Sequence, residues 1–180
     1  MFRRLRLNVA LVVTLLVLAM AVPAMAADGK FTIVHVNDVH GHIEPFMRTG
    51  AKEEVGALAK VAVYVEGLRR ENDNILLFSA GDMVHGTNVV NLFGGLPMVE
   101  IMNHMGFDAM ALGNHEFNYG QEQLLLLAKA AKFPFLSANV VRDDGAVFIG
   151  DYNIFDVGGV KVGVFGLSPT DTPILTHPKA

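Results

Sequence analysis

The chain has 180 residues, of which 52% are hydrophobic and 18% are charged, and its formal net charge at pH 7 is −4. These values fit one ordinary domain with a hydrophobic core better than they fit two domains. The absence of cysteine excludes a disulfide framework and a thiolate metal site, so any metal ion must be bound by His, Asp, Glu or Asn. An acidic chain without a Lys/Arg cluster is also a poor candidate for binding a nucleic-acid polymer.

Residues 1–26 have the pattern of a secretory signal peptide. Three arginines precede the apolar run at 9–22, and Ala-Met-Ala at 24–26 matches a signal-peptidase site. An uncleaved membrane anchor is the alternative, but a span needs about 20 apolar residues and this run is marginal. We therefore expect cleavage, no stable membrane span afterwards, and a protein that is secreted or lies in the periplasm or cell envelope. Cleavage removes three arginines and no acidic residue, so the formal charge changes from −4 to −7.

The first predicted strand of the mature chain covers residues 30–36. Its β-branched and apolar residues suit a strand that is buried on both faces. Asp38 and His40 follow it, two residues apart. If the chain stays extended here, both side chains point the same way and can bind one ion.

A helix and a second strand come next. Between residues 56 and 72, four apolar residues recur at intervals of three and four, which predicts one face of an amphipathic helix. Residues 75–79 form a short apolar strand that leads directly into Gly81 and Asp82. Asp82 therefore lies at the carboxyl end of a strand, beside a glycine that permits close approach of the backbone or a ligand.

The pattern then repeats. Residues 96–105 are predicted to form a helix, with Pro97 in its first turn and Gly106 closing it. The short apolar segment 108–112 is predicted to be a buried strand, and Asn114 and His115 lie in the loop at its carboxyl end. Open α/β sheets usually have their functional sites at this end of the strands.

The rest of the chain completes the predicted fold. A helix at 121–132 and a strand at 133–138 continue the alternation of strands and helices, which predicts an α/β layer with largely parallel pairing. Two β-rich runs at 152–157 and 160–167 are separated by two glycines and predict a hairpin that extends or faces the first sheet. Residues 168–180 contain three prolines, and we expect no element there that completes a domain.

Polar side chains thus follow three successive predicted strands. If these strands are neighbours in one sheet, their carboxyl ends bring two carboxylates, two imidazoles and a carboxamide to a common rim. Such donors suit Zn, Mn, Fe or Mg. A carboxylate between two sites can bridge a metal pair, and two-metal sites serve the hydrolysis of phosphate esters.

The same motifs resemble those of a known family. Asn-Asp-Val-His-Gly at 37–41, Gly-Asp at 81–82 with Gly-Thr at 86–87, and Gly-Asn-His-Glu-Phe at 113–117 are similar to motifs of the calcineurin-like metallophosphoesterases. The closer resemblance is to the secreted 5′-nucleotidase and 2′,3′-cyclic-nucleotide phosphodiesterase family, and stretches at 137–140 and 166–173 share it. It implies a layered α/β metallophosphoesterase fold, an α/β/β/α sandwich, incomplete in this chain.

The resemblance also implies roles for matching residues. Asp38 and His40 would bind the first of two divalent ions, Zn, Mn or similar; Asp82 would bridge both ions, and Asn114 would bind the second. His115 would be the catalytic imidazole, which stabilises charge on the phosphoryl group or protonates the leaving alkoxide. The implied nucleophile is a metal-held hydroxide, and the implied substrate is a small-molecule nucleotide.

Two departures from the family pattern stand out. Many members have an Asp three residues after the catalytic histidine, where this chain has Asn118. Its amide oxygen can accept a hydrogen bond from the imidazole and orient it, but it adds no charge. The family also takes further metal ligands from downstream His motifs, which the setting of His177 does not resemble, and has a separate nucleotide-binding domain. We therefore expect residues 27–180 to be the amino-terminal part of the catalytic domain, with little activity alone.

Several alternatives remain open at this point. The first prediction is a 5′-nucleotidase-like phosphatase; a 2′,3′-cyclic-nucleotide phosphodiesterase or a nucleotide-sugar hydrolase would use the same ligands. A non-catalytic metal-binding fragment is the alternative from another class. His42 and His85 lie in the two ligand loops and are candidates for contact with substrate. Glu116 either orients a ligand loop or serves the start of the following helix. The oligomeric state is not predicted.

Overall fold

The computed structural model describes residues 29–176. The strands are β1 (Thr32–Val36), β2 (Phe46–Met47), β3 (Glu54–Val55), β4 (Ile75–Ser79), β5 (Ala109–Ala111), β6 (Phe135–Leu136), β7 (Tyr152–Val157) and β8 (Val160–Phe165). The helices are α1 (Leu58–Glu71), α2 (Asn88–Leu92), α3 (Leu96–Met105), α4 (Gln121–Ala130) and α5 (Thr172–Leu175), with a 3₁₀ turn at His115–Phe117. The expected signal peptide at 1–26 lies outside the described residues. Within them, no helix has both the length and the apolar character needed to cross a bilayer.

The main sheet is parallel and follows the order of the chain. Its strands are arranged β1-β4-β5-β6, so each strand pairs with the next strand of this sheet along the sequence, and β2 and β3 form a separate pair. Parallel neighbours joined by right-handed crossovers place their helices on one face of such a sheet. The predicted alternation of strands and helices in an α/β layer is therefore confirmed.

The core lies between this sheet and the helices. Leu77 of β4 and Met110 of β5 are fully buried there, together with Met98 and Met102 of α3. Helix α3 has the predicted bounds, with Pro97 in its first turn and Gly106 at its C-cap with φ 68°. The side chains of Met98 and Met102 therefore fill the core, as their helical spacing indicates.

The hairpin β7–β8 faces the other side of the main sheet. Its strands pair antiparallel over all six positions and form a separate two-stranded sheet. Phe155 of β7 packs on Phe78 of β4, with 5.6 Å between the ring centroids. Leu77 and Phe78 are adjacent and point to opposite faces, one toward the helices and one toward the hairpin. The described residues thus form three successive layers, helices, parallel sheet and hairpin, in keeping with the predicted layered α/β fold.

Strand β1 differs from the prediction. We expected it to be buried on both faces, but Ile33 is 52% exposed and His35 is also exposed. The reason is that none of the elements within residues 29–176 covers its outer face: Val34 and Val36 pack on the core, whereas Ile33 and His35 point the other way. Composition alone cannot distinguish an edge strand from a central one.

Candidate metal centre

The loops after β1 and β4 run side by side at the carboxyl end of the sheet. The backbone N–H groups of Asp38, His40 and Gly41 donate to the carbonyl oxygens of residues 81, 82 and 83, at 3.0 to 3.1 Å. These hydrogen bonds continue the register of the paired strands beyond their ends. The two loops therefore bring the Asp38–His40 pair next to Asp82.

Two glycines, Gly81 and Gly113, allow the loop after β5 to lie close against the loop after β4. A Cβ atom on Gly81 would lie 2.4 Å from the backbone nitrogen of Gly113, and a Cβ atom on Gly113 would lie 2.2 Å from Oδ1 of Asp82. Both distances are far below van der Waals contact. The Gly-Asp and Gly-Asn-His sequences thus contain glycine because their backbones touch.

The predicted ligands converge on one small region. His40, Asp82 and His115 each have a potential ligand atom within 4.8 Å of the others. Oδ1 of Asp38 lies 3.3 Å from Nε2 of His40. A hydrogen bond from Asn37 lowers the pKa of Asp38, and the nearby His40 lowers it further. Carboxylate and imidazole donors at this spacing fit a divalent cation such as Zn or Mn.

The route by which Asp38 and His40 converge differs from the prediction. The predicted route required an extended backbone, but φ is 54° at Asp38 and 48° at His40, and it is 57° at Asp82. Non-glycine residues rarely adopt this left-handed conformation, which is strained and concentrates at functional sites. That condition is therefore not met, although the side chains of Asp38 and His40 do meet. Side chains alternate between the two faces of a sheet only within a strand, and Asp38 and His40 lie beyond the end of β1.

Asn114 lies at the same rim and is oriented by α5. Its amide Nδ2 donates to the carbonyl oxygen of Leu175, at 3.1 Å. Because the nitrogen is turned toward α5, the amide oxygen is the atom that can face a cation. The proline-rich segment after residue 167, where we expected no element that completes a domain, thus supplies a contact to a predicted ligand.

His115 and Asn118 are in direct contact. Nδ2 of Asn118 lies 2.8 Å from Nδ1 of His115, and the hydroxyl of Thr176 donates to Oδ1 of Asn118 at 2.7 Å. The Asn118 amide therefore faces the ring, and which of the two groups donates depends on the tautomer of His115. The contact orients the imidazole beside the predicted ligands.

The other two candidate histidines lie on different sides of the site. The ring of His85 is parallel to that of His115, with 5.3 Å between centroids, and it also contacts Tyr119. Burial lowers the pKa of His85, and the nearby His115 and His40 lower it further. His42 instead stacks on Phe46 at 3.8 Å. His85 is thus next to the candidate site, whereas the ring of His42 is engaged with β2.

Three contributions to the site lie outside the predicted set. The sequence analysis did not identify the carbonyl of Leu175 or the hydroxyl of Thr176, which are about 60 residues from the side chains that they contact. It left the role of Glu116 open; the structure shows its carboxylate fully buried between the two ligand loops. A buried charge inside a loop motif is the signal that could have singled out Glu116.

The fold and the donor set together are those of a metallophosphoesterase. Oxygen and imidazole donors, among them His40, Asp82 and His115, lie at the carboxyl ends of neighbouring parallel strands. Residues 31–176 match the calcineurin-like phosphoesterase family, and the chain belongs to that family. The sequence resemblance to this family is therefore confirmed.

Individual relatives are nucleotidases. The chain is 40% identical over 169 residues to the snake venom 5′-nucleotidase of Gloydius brevicauda, a match that covers 88% of this chain and 29% of that protein. The 5′-nucleotidase precursor of Thermus thermophilus is similar in structure, with 35% identity and a TM-score of 0.72 over 83% of this chain and 31% of that one. The NAD nucleotidase of Haemophilus influenzae is also similar in structure, with 35% identity and a TM-score of 0.70 over 80% of this chain and 27% of that one. The chain thus spans less than a third of the length of these relatives.

Proposed function

We propose that this chain carries the metal-binding part of an enzyme that hydrolyses phosphate esters of nucleotides with two divalent metal ions. The observation that carries the proposal is the convergence of Asp38, His40, Asp82 and His115 at one rim of the sheet, with Asn114 directly before His115 in the same loop. Carboxylates, an imidazole and a carboxamide are the donors that a hard or borderline divalent ion needs.

The donors divide unequally between two positions. Asp38, His40 and Asp82 would hold the first ion, and Asp82 would share the second with Asn114. Ions bound there would polarise the phosphoryl oxygen and acidify a water molecule. Because the second position has two donors within residues 29–176, we expect the first ion to bind more tightly and the 180 residues alone to turn over slowly.

His115 would act directly on the substrate. Asn118 contacts its Nδ1 at 2.8 Å, which leaves Nε2 to donate a proton to a phosphoryl oxygen or to the departing alkoxide. Proton donation of this kind typically contributes about 10²–10⁴-fold to a rate. Asn118 would orient the ring without adding charge, which distinguishes this pair from one with a carboxylate.

The names of the relatives support a nucleotide as substrate. The matching proteins include 5′-nucleotidases and an NAD nucleotidase, so the nucleoside monophosphate ester and the dinucleotide diester are the candidate substrates. Export is proposed on the signal-like pattern of residues 1–26 and on the similarity to a venom protein. Hydrolysis of a 2′,3′-cyclic nucleotide or a nucleotide sugar is the alternative, since the same rim would serve any phosphate ester.

The test measures phosphate release by the whole protein that carries this chain. AMP, 2′,3′-cyclic AMP, NAD and a nucleotide sugar are compared with Mn²⁺ or Zn²⁺ added, and Asp82→Asn is the control. We expect metal-dependent release from AMP that Asp82→Asn abolishes. Metal binding without hydrolysis of any substrate would favour a non-catalytic metal-binding protein, and activity that does not change in Asp82→Asn would refute the proposed metal centre.

A further inference from the structure

Glu116 is a fully buried carboxylate between the two loops that carry the candidate ligands. It follows Asn114 and His115 in the 3₁₀ turn, and its side chain points toward the loop after β4. A buried charge is unfavourable unless hydrogen bonds replace the lost water. The partners of Glu116 therefore show what the residue does.

Both oxygens of the Glu116 carboxylate accept hydrogen bonds from the backbone. Oε2 accepts from the N–H groups of Asp82 and Gly113, each at 2.8 Å. Oε1 accepts from Met83 at 2.8 Å and from Val84 at 3.4 Å. One side chain is thus bound to the loop after β4 and to the loop after β5.

A second contact joins the same loops in the opposite direction. The backbone N–H of His115 donates to Oδ1 of Asp82 at 2.9 Å. Asp82 has φ 57°, a conformation that a non-glycine residue rarely adopts. The hydrogen bonds that Glu116 accepts from the N–H groups of residues 82, 83 and 84 fix the backbone on which that conformation depends.

We propose that Glu116 is a positioning residue that holds Asp82 at a fixed place relative to Asn114 and His115 before any metal ion binds. The proposal rests on the proposed function, because it assigns Asp82 and Asn114 to the metal ions. Glu116 itself touches neither ion nor substrate in this account. It acts through the backbones of the two loops, as partners of metal ligands commonly do.

The chemistry of the carboxylate makes the proposal specific. A glutamine at this position has one acceptor oxygen, so its NH₂ group would face two backbone donors, either those of Asp82 and Gly113 or those of Met83 and Val84. Glu116→Gln therefore removes two of the four hydrogen bonds at nearly constant volume. Glu116→Asp keeps both acceptors but is shorter by one methylene and reaches the donors less well.

Asp108 offers a matched control. Its carboxylate also accepts a backbone hydrogen bond, from Leu77 at 2.7 Å, and burial raises its pKa. It lies at the amino end of β5, away from the ligand loops at the opposite end. Asp108→Asn keeps an acceptor for Leu77 and changes a partly buried carboxylate without touching the candidate site.

The experiment measures Mn²⁺ affinity by calorimetry and amide hydrogen exchange in the metal-free protein for the wild type, Glu116→Gln, Glu116→Asp and Asp108→Asn. We expect Glu116→Gln to bind Mn²⁺ 10–100-fold more weakly, Glu116→Asp to lie between it and the wild type, and Asp108→Asn to match the wild type. Without metal, one pair of amides, either residues 82 and 113 or residues 83 and 84, should exchange at least about 10-fold faster in Glu116→Gln.

Each outcome decides the proposal or its basis. Wild-type exchange at all four of residues 82, 83, 84 and 113 in Glu116→Gln, or Mn²⁺ affinity within about twofold of the wild type in that variant, would overturn the positioning role. If Glu116→Gln does not fold, Glu116→Asp carries the same comparison. A wild-type protein that binds no Mn²⁺ would instead refute the proposed metal centre, and the exchange data would still report on Glu116.

Discussion

Gly113→Ala should disrupt the candidate metal centre by a purely steric effect. The added Cβ atom would lie 2.2 Å from Oδ1 and 2.7 Å from Cγ of Asp82. Because non-bonded carbon atoms prefer separations of roughly 3.5–4.0 Å, the carboxyl group must move by about 1 Å. That shift is several times the tolerance of about 0.2 Å in metal–ligand distances.

The expected consequence is weaker metal binding in a protein that still folds. Changes to groups that support metal ligands typically cost 10–100-fold in affinity, and we expect Gly113→Ala to weaken Mn²⁺ binding by that factor. Forcing an extra atom into a packed site should also lower the free energy of unfolding by about 1–3 kcal/mol. Calorimetric titration with Mn²⁺ gives the affinity, and thermal denaturation of the metal-free protein gives the stability.

Gly67→Ala is the matched control for this substitution. Gly67 lies inside α1, and a Cβ atom there would meet nothing within 4 Å. Because alanine is the better helix former, the control should gain up to about 1 kcal/mol of stability and keep its Mn²⁺ affinity. Binding by Gly113→Ala within about twofold of the wild type would show that the carboxylate of Asp82 is not a ligand, and the steric reasoning would fail.

Three further substitutions test other parts of the account. Asn118→Ala should reduce phosphate release from AMP about 10-fold or more in the whole protein, because Asn118 contacts His115. Its Mn²⁺ affinity should not change. A parallel loss of Mn²⁺ binding would contradict a role for Asn118 in orienting His115. His85→Ala should lower kcat/KM about 10-fold, because the ring of His85 packs parallel to that of His115. His104 is exposed, and His104→Ala should leave kcat/KM unchanged. Equal rates for the two variants would exclude a role for His85. Burial raises the pKa of Asp108, so the stability that its protonated form contributes is present below pH 3.8 and is lost as the pH rises through the raised pKa. Asp108→Asn should therefore flatten the pH dependence of Tm in that range, and an unchanged profile would contradict the assignment.

Much of the framework follows from local sequence. Strand β4 and helix α3 have the predicted bounds, because an apolar run and a Pro–Gly pair around a helix are signals contained within a few residues. The common rim of the candidate site could also be predicted, because neighbouring parallel strands end at the same edge of a sheet. Asp82 and Asn114 could be placed near each other on that basis alone.

The details of the site depend on contacts that are distant in the sequence. The left-handed backbone of Asp38 and His40 is supported by hydrogen bonds to the loop after β4, about 40 residues away. The contact of Thr176 with Asn118 joins residues about 60 positions apart. Helix α5, which carries Leu175 to Asn114, has four residues and is too short for any periodicity to reveal it.

The edge position of β1 shows the same limit. Its composition resembles that of a central strand, yet one of its faces is exposed within residues 29–176. Burial depends on what packs against a strand, which the residues of the strand do not encode. The burial of each face of a strand therefore cannot be predicted from the residues of that strand alone.

The most direct test of the metal centre is an anomalous difference map from crystals of the protein grown with Mn²⁺. The account predicts a peak within about 2.3 Å of a carboxylate oxygen of Asp82 and of ligand atoms from Asp38 and His40. A weaker second peak should lie between Asp82 and Asn114. A map with its Mn²⁺ peaks elsewhere, or with none at Asp82, would contradict the account.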